Sequence, residues 1–298
     1  MPRRRDSFQA ARCLITGASS GIGAAFARLL AADGARIVVT GRSADRLATE
    51  VEHLRAAGAA ADRILAVPAD LTDADSRRSL LDATADRFDG ALDLVINAAG
   101  VGAYGRFESH APSVLRQVFE INVFALAEIC REALPLLRRG DRPSLLNIGS
   151  IVARRGLPGR PEYSASKFAV AGLTEALRAE WAIDGIHVML LNPGFTTTGF
   201  ERNVVVHTAI YKTESHRSMT PDAVAEAGLR ALLRGRRELT LTSRGRLLLA
   251  VNRIAPGFVD WGFGRWTRRL YADSPALAAA EARAGESSPD LPPEPPAR

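Results

Sequence analysis

Short apolar runs rich in Val, Ile and Leu alternate with longer stretches of helical period along most of this chain. The runs predict strands at 12–16, 36–40, 64–69, 92–97, 144–148, 187–192 and 238–242. The stretches between them predict helices at 21–32, 44–57, 73–88, 112–138, 162–184 and 221–234. A strand that is apolar throughout is buried on both faces, as in a parallel sheet covered by helices. Strict alternation of the two elements therefore predicts an α/β chain, a doubly wound parallel sheet of seven strands with right-handed crossovers.

The chain has 298 residues, enough for one α/β domain to bury a full core, and its 47% hydrophobic and 24% charged content is ordinary for a globular protein. Cys13 and Cys130 are too few for a disulfide framework and suggest buried thiols in a reducing compartment. The basic N-terminus lacks the apolar run of a signal peptide, because Asp6, Gln9 and Arg12 interrupt it. No stretch reaches the ~18 apolar residues of a spanning helix. A cytoplasmic protein is expected, with contact at the inner face of a membrane left open. Residues 1–10 read as an arm, 11–245 as a single domain and 246–273 as an extension. Residues 274–298, rich in Ala, Glu and Pro, read as a disordered tail. The net charge is +6, but the basic residues are scattered and carry no nucleic-acid motif, so no nucleic-acid partner is expected. No metal site is expected either. Only Lys167 and Lys212 are lysine among 39 basic residues, so a lysine at a chemically suggestive position is informative.

After the first predicted strand comes TGASSGIG, Thr16 to Gly23, which opens a helix. Gly17, Gly21 and Gly23 permit a tight turn and close ligand approach, and the helix N-terminus offers N–H groups to a pyrophosphate. The second strand ends in Gly41-Arg42, with no acid to take a ribose 2′-hydroxyl. A guanidinium there suits a 2′-phosphate, so NADP(H) is preferred and NAD(H) is the second candidate. Asp70, after the third strand, could accept from an adenine amine or cap the following helix.

Tyr163 and Lys167 are four residues apart on a predicted helix and share a face. A phenol with a pKa near ~10 is a poor base, and a neighbouring ammonium lowers it. Ser150 follows the fifth strand, at the sheet edge where α/β folds bind ligands. It can orient a substrate oxygen or serve as a turn serine. Asn97 and Gly100, in NAAG, end the fourth strand on the same edge. Asn122, amid apolar neighbours in a long helical stretch, should be hydrogen-bonded if buried.

Together TGASSGIG, NAAG, Asn122, Ser150, Tyr163-Ser-Ala-Ser-Lys167 and Pro193-Gly194 resemble, in order and spacing over about residues 11–245, the classical short-chain dehydrogenase/reductase family. The resemblance implies a Rossmann-type single domain, a homodimer or homotetramer, and a tetrad of Asn122, Ser150, Tyr163 and Lys167. Tyr163 would pass a proton to or from the substrate oxygen as the nicotinamide exchanges hydride. Lys167 would lower the tyrosine pKa and hold the ribose, Ser150 would orient the substrate oxygen, and Asn122 would support a water that relays protons to Lys167. Gly17, Ser19, Ser20, Gly21, Ile22, Gly23, Arg42, Asp70, Leu71, Asn97, Ala98 and Gly100 become candidate cofactor contacts. Pro193, Gly194, Thr196 and Thr198 join them near the nicotinamide, with Tyr163 and Lys167. One departure matters: many NADP-preferring members carry a basic residue where this chain has Ser20, so the preference rests on Arg42.

The segment after Pro193-Gly194, through Phe200, 204–206, Ile210 and Tyr211, is expected to form a mobile lid over an apolar pocket, with an apolar carbonyl or alcohol as substrate. Beyond it, residues 244–271 set aromatic and aliphatic residues among six arginines, and Pro256-Gly257 breaks any long helix. This pattern suits a membrane surface and is similar to the C-terminal extension of some membrane-facing reductases; packing on the domain or on another subunit is the alternative. A non-catalytic nucleotide sensor or membrane-peripheral scaffold on the same fold is the competing functional class.

Overall fold

A computed structural model gives the architecture and describes residues 6–197, 200, 204–207 and 218–272. Seven parallel strands form the central sheet: β1 (Arg12–Thr16), β2 (Arg36–Gly41), β3 (Ile64–Pro68), β4 (Leu94–Asn97), β6 (Ser144–Ile148), β7 (His187–Asn192) and β9 (Glu238–Thr240). Their order is β3-β2-β1-β4-β6-β7-β9, with the direction of winding reversing between β1 and β4. Leu14, Val38, Val95 and Leu145 lie on one face of the sheet, and Cys13, Ile37, Leu94 and Leu146 on the other. Each set belongs to its own core cluster, so both faces are covered, as the continuous apolar runs predict.

The helices are α1 (Gly21–Ala32), α2 (Ala44–Ala56), α3 (Ala74–Arg87), α4 (Pro112–Phe119), α5 (Ala125–Leu137), α6 (Pro161–Glu180), α7 (Pro221–Leu233), α8 (Ser243–Ile254) and α9 (Pro256–Ala272). Two expected strands are shorter than the sequence suggests. Leu92 donates its N–H to Leu136, at the end of α5, and so leaves the start of β4. Thr242 caps α8 by accepting from Gly245 at 3.1 Å, which ends β9 early. The helix expected over 112–138 is interrupted by a π turn, Glu120–Phe124, between α4 and α5. Pro256 divides the C-terminal extension into α8 and α9 by opening the second helix.

A second sheet was not expected. β5 (Gly102–Tyr104) pairs in parallel with β8 (Val204–His207). Val205 and Val206 therefore pack against Val101, Ala103, Val114 and Val118, in place of the lid expected for 204–206. Ile210, Tyr211 and the tail 274–298 lie outside the described residues.

Candidate active site at the carboxyl edge of the sheet

The carboxyl ends of β1, β2, β4, β6 and β7 gather most of the sequence-predicted residues along one edge. The loop after β1 is shaped by main-chain crowding. Gly17 has φ +66°, and a Cβ there would lie 2.7 Å from the Ala99 backbone. A Cβ on Gly23 would lie 2.4 Å from the Gly17 carbonyl oxygen. Both are below any tolerable contact, so the loop, the start of α1 and the 98–101 loop can close together only on glycine. The Thr16 hydroxyl adds to the closure, accepting from Ala98 at 3.1 Å and Ala99 at 3.2 Å. At the N-terminus of α1, Ser20 makes no capping bond with its side chain, and no acid stands in the first turn. The first-turn N–H groups and Ile22 thus follow a cradle of positive potential with no side-chain anion in it, which fits a phosphate.

Gly41 ends β2 against Ser19, where an added Cβ would meet Oγ at 2.9 Å. The next residue, Arg42, is exposed and makes no hydrogen bond or ion pair with any described residue. Asp70 is also exposed; its Oδ1 accepts from the Thr72 N–H at 3.0 Å and hydroxyl at 2.8 Å. The helix cap is Asp73, which accepts from Ser76 at 2.7 Å, so the capping alternative for Asp70 is corrected. Leu71 is partly buried beside it and accepts from Arg77 at 3.0 Å.

Tyr163, Lys167 and Ser150 come together around the end of β6. Lys167 is buried and donates to the Ile148 carbonyl at 2.8 Å, with Nζ 5.7 Å from the Tyr163 ring centre. The Ser150 hydroxyl lies near the Tyr163 phenol and favours its ionised form. The same hydroxyl accepts from Val152 at 3.3 Å, and the Ser150 N–H donates to Asn192 Oδ1 at 3.2 Å. Asn192 donates onward to Glu238 at 2.7 Å, and Arg154 pairs with the same carboxylate. A charged chain from the edge strand thus fixes the backbone of Ser150. Asn122 sits in the π turn, fully buried. Its amide accepts from Val101 N–H at 2.8 Å and donates to the Val101 carbonyl at 2.9 Å and Ser166 at 3.0 Å. The expectation that this side chain is hydrogen-bonded holds. Its bonds go to the 98–101 loop and to α6, and an added Cβ on Gly100 would reach Asn122 Oδ1 at 3.1 Å and Lys167 Nζ at 3.8 Å.

The electrostatics differ from the sequence expectation. Burial pushes the Tyr163 phenol up to about 12, helped by nearby Tyr104 and opposed by Arg160 and the nearby Ser150 hydroxyl. Lys167 is not among the groups that lower it. Burial instead brings Lys167 itself down to about 8. The ammonium is drawn to a backbone carbonyl at the far side of the ring, while the cation acting on the phenol in this structure is Arg160.

Asn97 also departs from expectation. Its side chain is turned under the sheet, donating to Asn147 at 3.0 Å and to Cys130 at 3.3 Å, so only its main chain faces the edge. Pro193 accepts from Ile151 at 3.1 Å, and Thr196 donates to Gly194 at 3.1 Å. A Cβ on Gly194 would strike Thr242 at 2.6 Å, so this turn too depends on glycine. Thr198 lies outside the described residues.

Arg160 and the His110–Glu162 pair escaped the sequence reading, whereas Phe200 was expected over the substrate pocket. Arg160 is buried between the rings of Tyr104, 4.3 Å away, and Phe195, 5.0 Å away. Phe200 packs on Tyr163 with ring centres 5.7 Å apart. His110 and Glu162 form a buried pair at 2.7 Å, one residue before Tyr163. Only the adjacency of Arg160 and Glu162 to Tyr163 could have flagged Arg160 or the His110–Glu162 pair.

The chain was compared with known proteins. The family model for short chain dehydrogenase matches residues 11–208. A ketoacyl reductase, HetN, from Nostoc is 30% identical over 253 residues, covering 83% of this chain and 86% of the relative. A short-chain dehydrogenase/reductase from Burkholderia phymatum, solved with NAD, superposes with TM-score 0.77 at 25% identity, covering 85% of this chain and 96% of its own. An actinorhodin polyketide ketoreductase solved with NADPH gives TM-score 0.69 at 26% identity, covering 78% and 95%.

Proposed function

Because the chain belongs to the short-chain dehydrogenase/reductase family, and is thus an oxidoreductase acting on CH–OH groups with a nicotinamide cofactor, we propose that it interconverts an apolar alcohol and its carbonyl with NADP(H), using Tyr163 as acid and base. The observation that carries this reading is the convergence of Ser150, Tyr163 and Lys167 at the edge where the glycine loop opens.

The residues that would hold the cofactor are Gly17 to Gly23 for the pyrophosphate and Asp70 and Leu71 near the adenine. The main chain of 97–100 and the turn Pro193, Gly194, Thr196 and Thr198 would line the rest. Arg42 supports NADP(H) over NAD(H): an exposed guanidinium without a partner among the described residues is free to meet a 2′-phosphate, and fork geometry suits it. The related structures are split between NAD and NADPH, so the preference is a statement about Arg42 alone. A bound nicotinamide supplies or accepts the hydride.

Tyr163 gives its proton to the carbonyl oxygen in reduction and takes it back in oxidation. The high pKa of the buried phenol favours the protonated form that reduction needs. Ser150, held by Asn192, hydrogen-bonds the same substrate oxygen and aligns it. Lys167, brought to about 8, is able to pass a proton near neutral pH and to hold ribose hydroxyls. Asn122 keeps the loop beside Lys167 in place and supports the water that resupplies it. The rings of Phe200, Phe195 and Tyr104 around Tyr163 support an apolar substrate. Location in the cytoplasm and a homodimer or homotetramer complete the reading; exposed Phe124 and Phe168 support subunit contact.

Purified protein with NADPH and a panel of carbonyls tests this through loss of the reduced-nicotinamide absorbance. Tyr163→Phe is expected to lower turnover on the order of a thousandfold while leaving NADPH affinity within about twofold. Full turnover in that variant overturns the mechanism.

A further inference from the structure

Outside the site, the exposed apolar residues Phe107 and Ile183 stand apart along the chain, as single surface residues commonly do. The C-terminal pair α8–α9 is different. Leu247 (65% exposed) and Ile254 (85%) are seven apart on α8 and share a face. Phe258 (63%) and Trp261 (57%) are exposed at the start of α9, with their rings stacked 5.7 Å apart, and add a second apolar patch to the pair. Arg265 lies over Trp261 at 5.4 Å, and Arg253 and Arg268 are also exposed.

Charge is concentrated in the same place. Residues 243–272 contain six arginines and one acid, Asp260, so they carry five of the six net positive charges of the whole chain. Asp260, the one acid of this stretch, is engaged by Arg155 from the domain. The pair is also fixed in orientation. Arg155 donates to Asn252 at 3.0 Å and lies 5.2 Å from the Phe263 ring, and Val259 is buried.

We infer that the α8–α9 pair docks on an anionic lipid bilayer, with Leu247, Ile254, Phe258 and Trp261 entering the interface and the surrounding arginines meeting lipid phosphates. Aromatic and aliphatic side chains at the acyl boundary, fringed by guanidinium groups, are the chemistry an interfacial helix requires. A protein partner would need acids placed to match several separate arginines, whereas an anionic bilayer supplies charge at every position. No helix among the described residues is long and apolar enough to cross a membrane, so the contact is peripheral. A cavity of about 600 Å³ lies between α9 (Asp260, Phe263, Thr267) and the start of α6 (Pro161, Ser164), lined also by Leu157. Docking sets this largely apolar cavity beside the bilayer, next to the helix that carries Tyr163.

The test is flotation of the full chain with phosphatidylcholine vesicles, with and without phosphatidylglycerol. Binding is expected only to the anionic vesicles, with a blue shift in tryptophan emission. Changing Arg253, Arg265 and Arg268 to Gln should weaken it on the order of a hundredfold, since each exposed arginine near an anionic surface contributes about fivefold. Phe258→Ser with Trp261→Ser should weaken it at least about tenfold and remove the blue shift. Equal binding to both vesicle types, binding to neither, or unchanged binding in the arginine variant overturns the inference. So does a smaller oligomer by light scattering in the Phe258/Trp261 variant when the parent fails to float, because that patch is then a subunit contact. Thermal melts of both variants check folding; if the apolar variant unfolds, the arginine variant, altered only at exposed positions, decides.

Discussion

Two buried polar networks lie under the same edge of the sheet. In one, Asn97 donates to Asn147, Asn147 to Thr174 at 3.0 Å, and Thr174 to the Val170 carbonyl at 2.6 Å. In the other, Asn122 holds Val101 and Ser166, Lys167 holds Ile148, and Ser150 stands beside Tyr163. The first joins amides, hydroxyls and the Cys130 thiol between β4, β6, α5 and α6; burial keeps that thiol protonated, and Asn97 Oδ1 has no partner among the described residues. The second contains two titrating groups, Tyr163 and Lys167, both shifted by burial. An amide chain can satisfy itself and rigidify a core; an ammonium and a phenol kept from water are costly unless the site uses them. Polarity at the end of a strand therefore does not mark a site; unspent ionisation does.

Four experiments press on that contrast. The largest effect is expected in the ionising network. Lys167→Met should reduce turnover by roughly a thousandfold, about 4 kcal/mol of barrier, with the protein still folded by circular dichroism. Near-normal turnover would reduce Lys167 to a packing residue and erase the distinction. Next, Asn147→Ala should cost about 2–3 kcal/mol in urea melts by orphaning its buried partners, while turnover per folded molecule stays within about twofold. A large drop in turnover without loss of stability would move the amide network into the chemistry.

The pH dependence of stability comes third. Lys167 has a folded pKa of about 8 against an ordinary 10.5, so above pH 8 the unfolded chain holds a proton that the folded one has released. That group alone raises stability by about 2 kcal/mol between pH 8 and 10, while the buried Cys130 thiol, pushed up to about 12 from 9.0, lowers it by about 1.4 kcal/mol over the same span. Tyr163 adds to the loss above pH 10, because it keeps its proton to about 12 when folded and the unfolded phenol has lost it. Urea melts across this range should show the parent gaining about 2 kcal/mol relative to Lys167→Met between pH 8 and 10; parallel curves for the two refute the depressed lysine. The smallest effect concerns the rim of the site. Arg42→Ala should raise KM for NADPH about tenfold and leave that for NADH unchanged, measured by steady-state kinetics. Equal changes for both cofactors would deny Arg42 its role at the 2′-phosphate.

Much of the fold was legible because parallel strands buried on both faces are written as unbroken apolar runs, and because the crowding at Gly17 and Gly23 admits nothing but glycine. Tyr163 and Lys167 were legible for a related reason: a four-residue spacing on a helix carries its own geometry. What sequence could not supply was direction. Asn97 stands at the right strand end, but the pleat turns its side chain under the sheet toward Cys130 and Asn147. The β5–β8 pair joins residues about a hundred apart and is too short for periodicity to reveal. Arg160 gave no signal among so many arginines; its position between two rings comes from tertiary packing.

The π turn at Glu120–Phe124 has an implication for the lineage of such chains. A π turn holds one residue more than a regular turn of helix, and that surplus is what aims Asn122 at Val101. Excising any single residue from 120–124 would let the segment relax into an ordinary helix and rotate all that precedes it by about 100° relative to α5. The loop bearing Gly100 would lose both of its bonds to Asn122 and keep those to Thr16, without any change to a residue that meets substrate. This stretch should therefore accept many substitutions yet reject a shift of phase, so length, not identity, is what inheritance must preserve there.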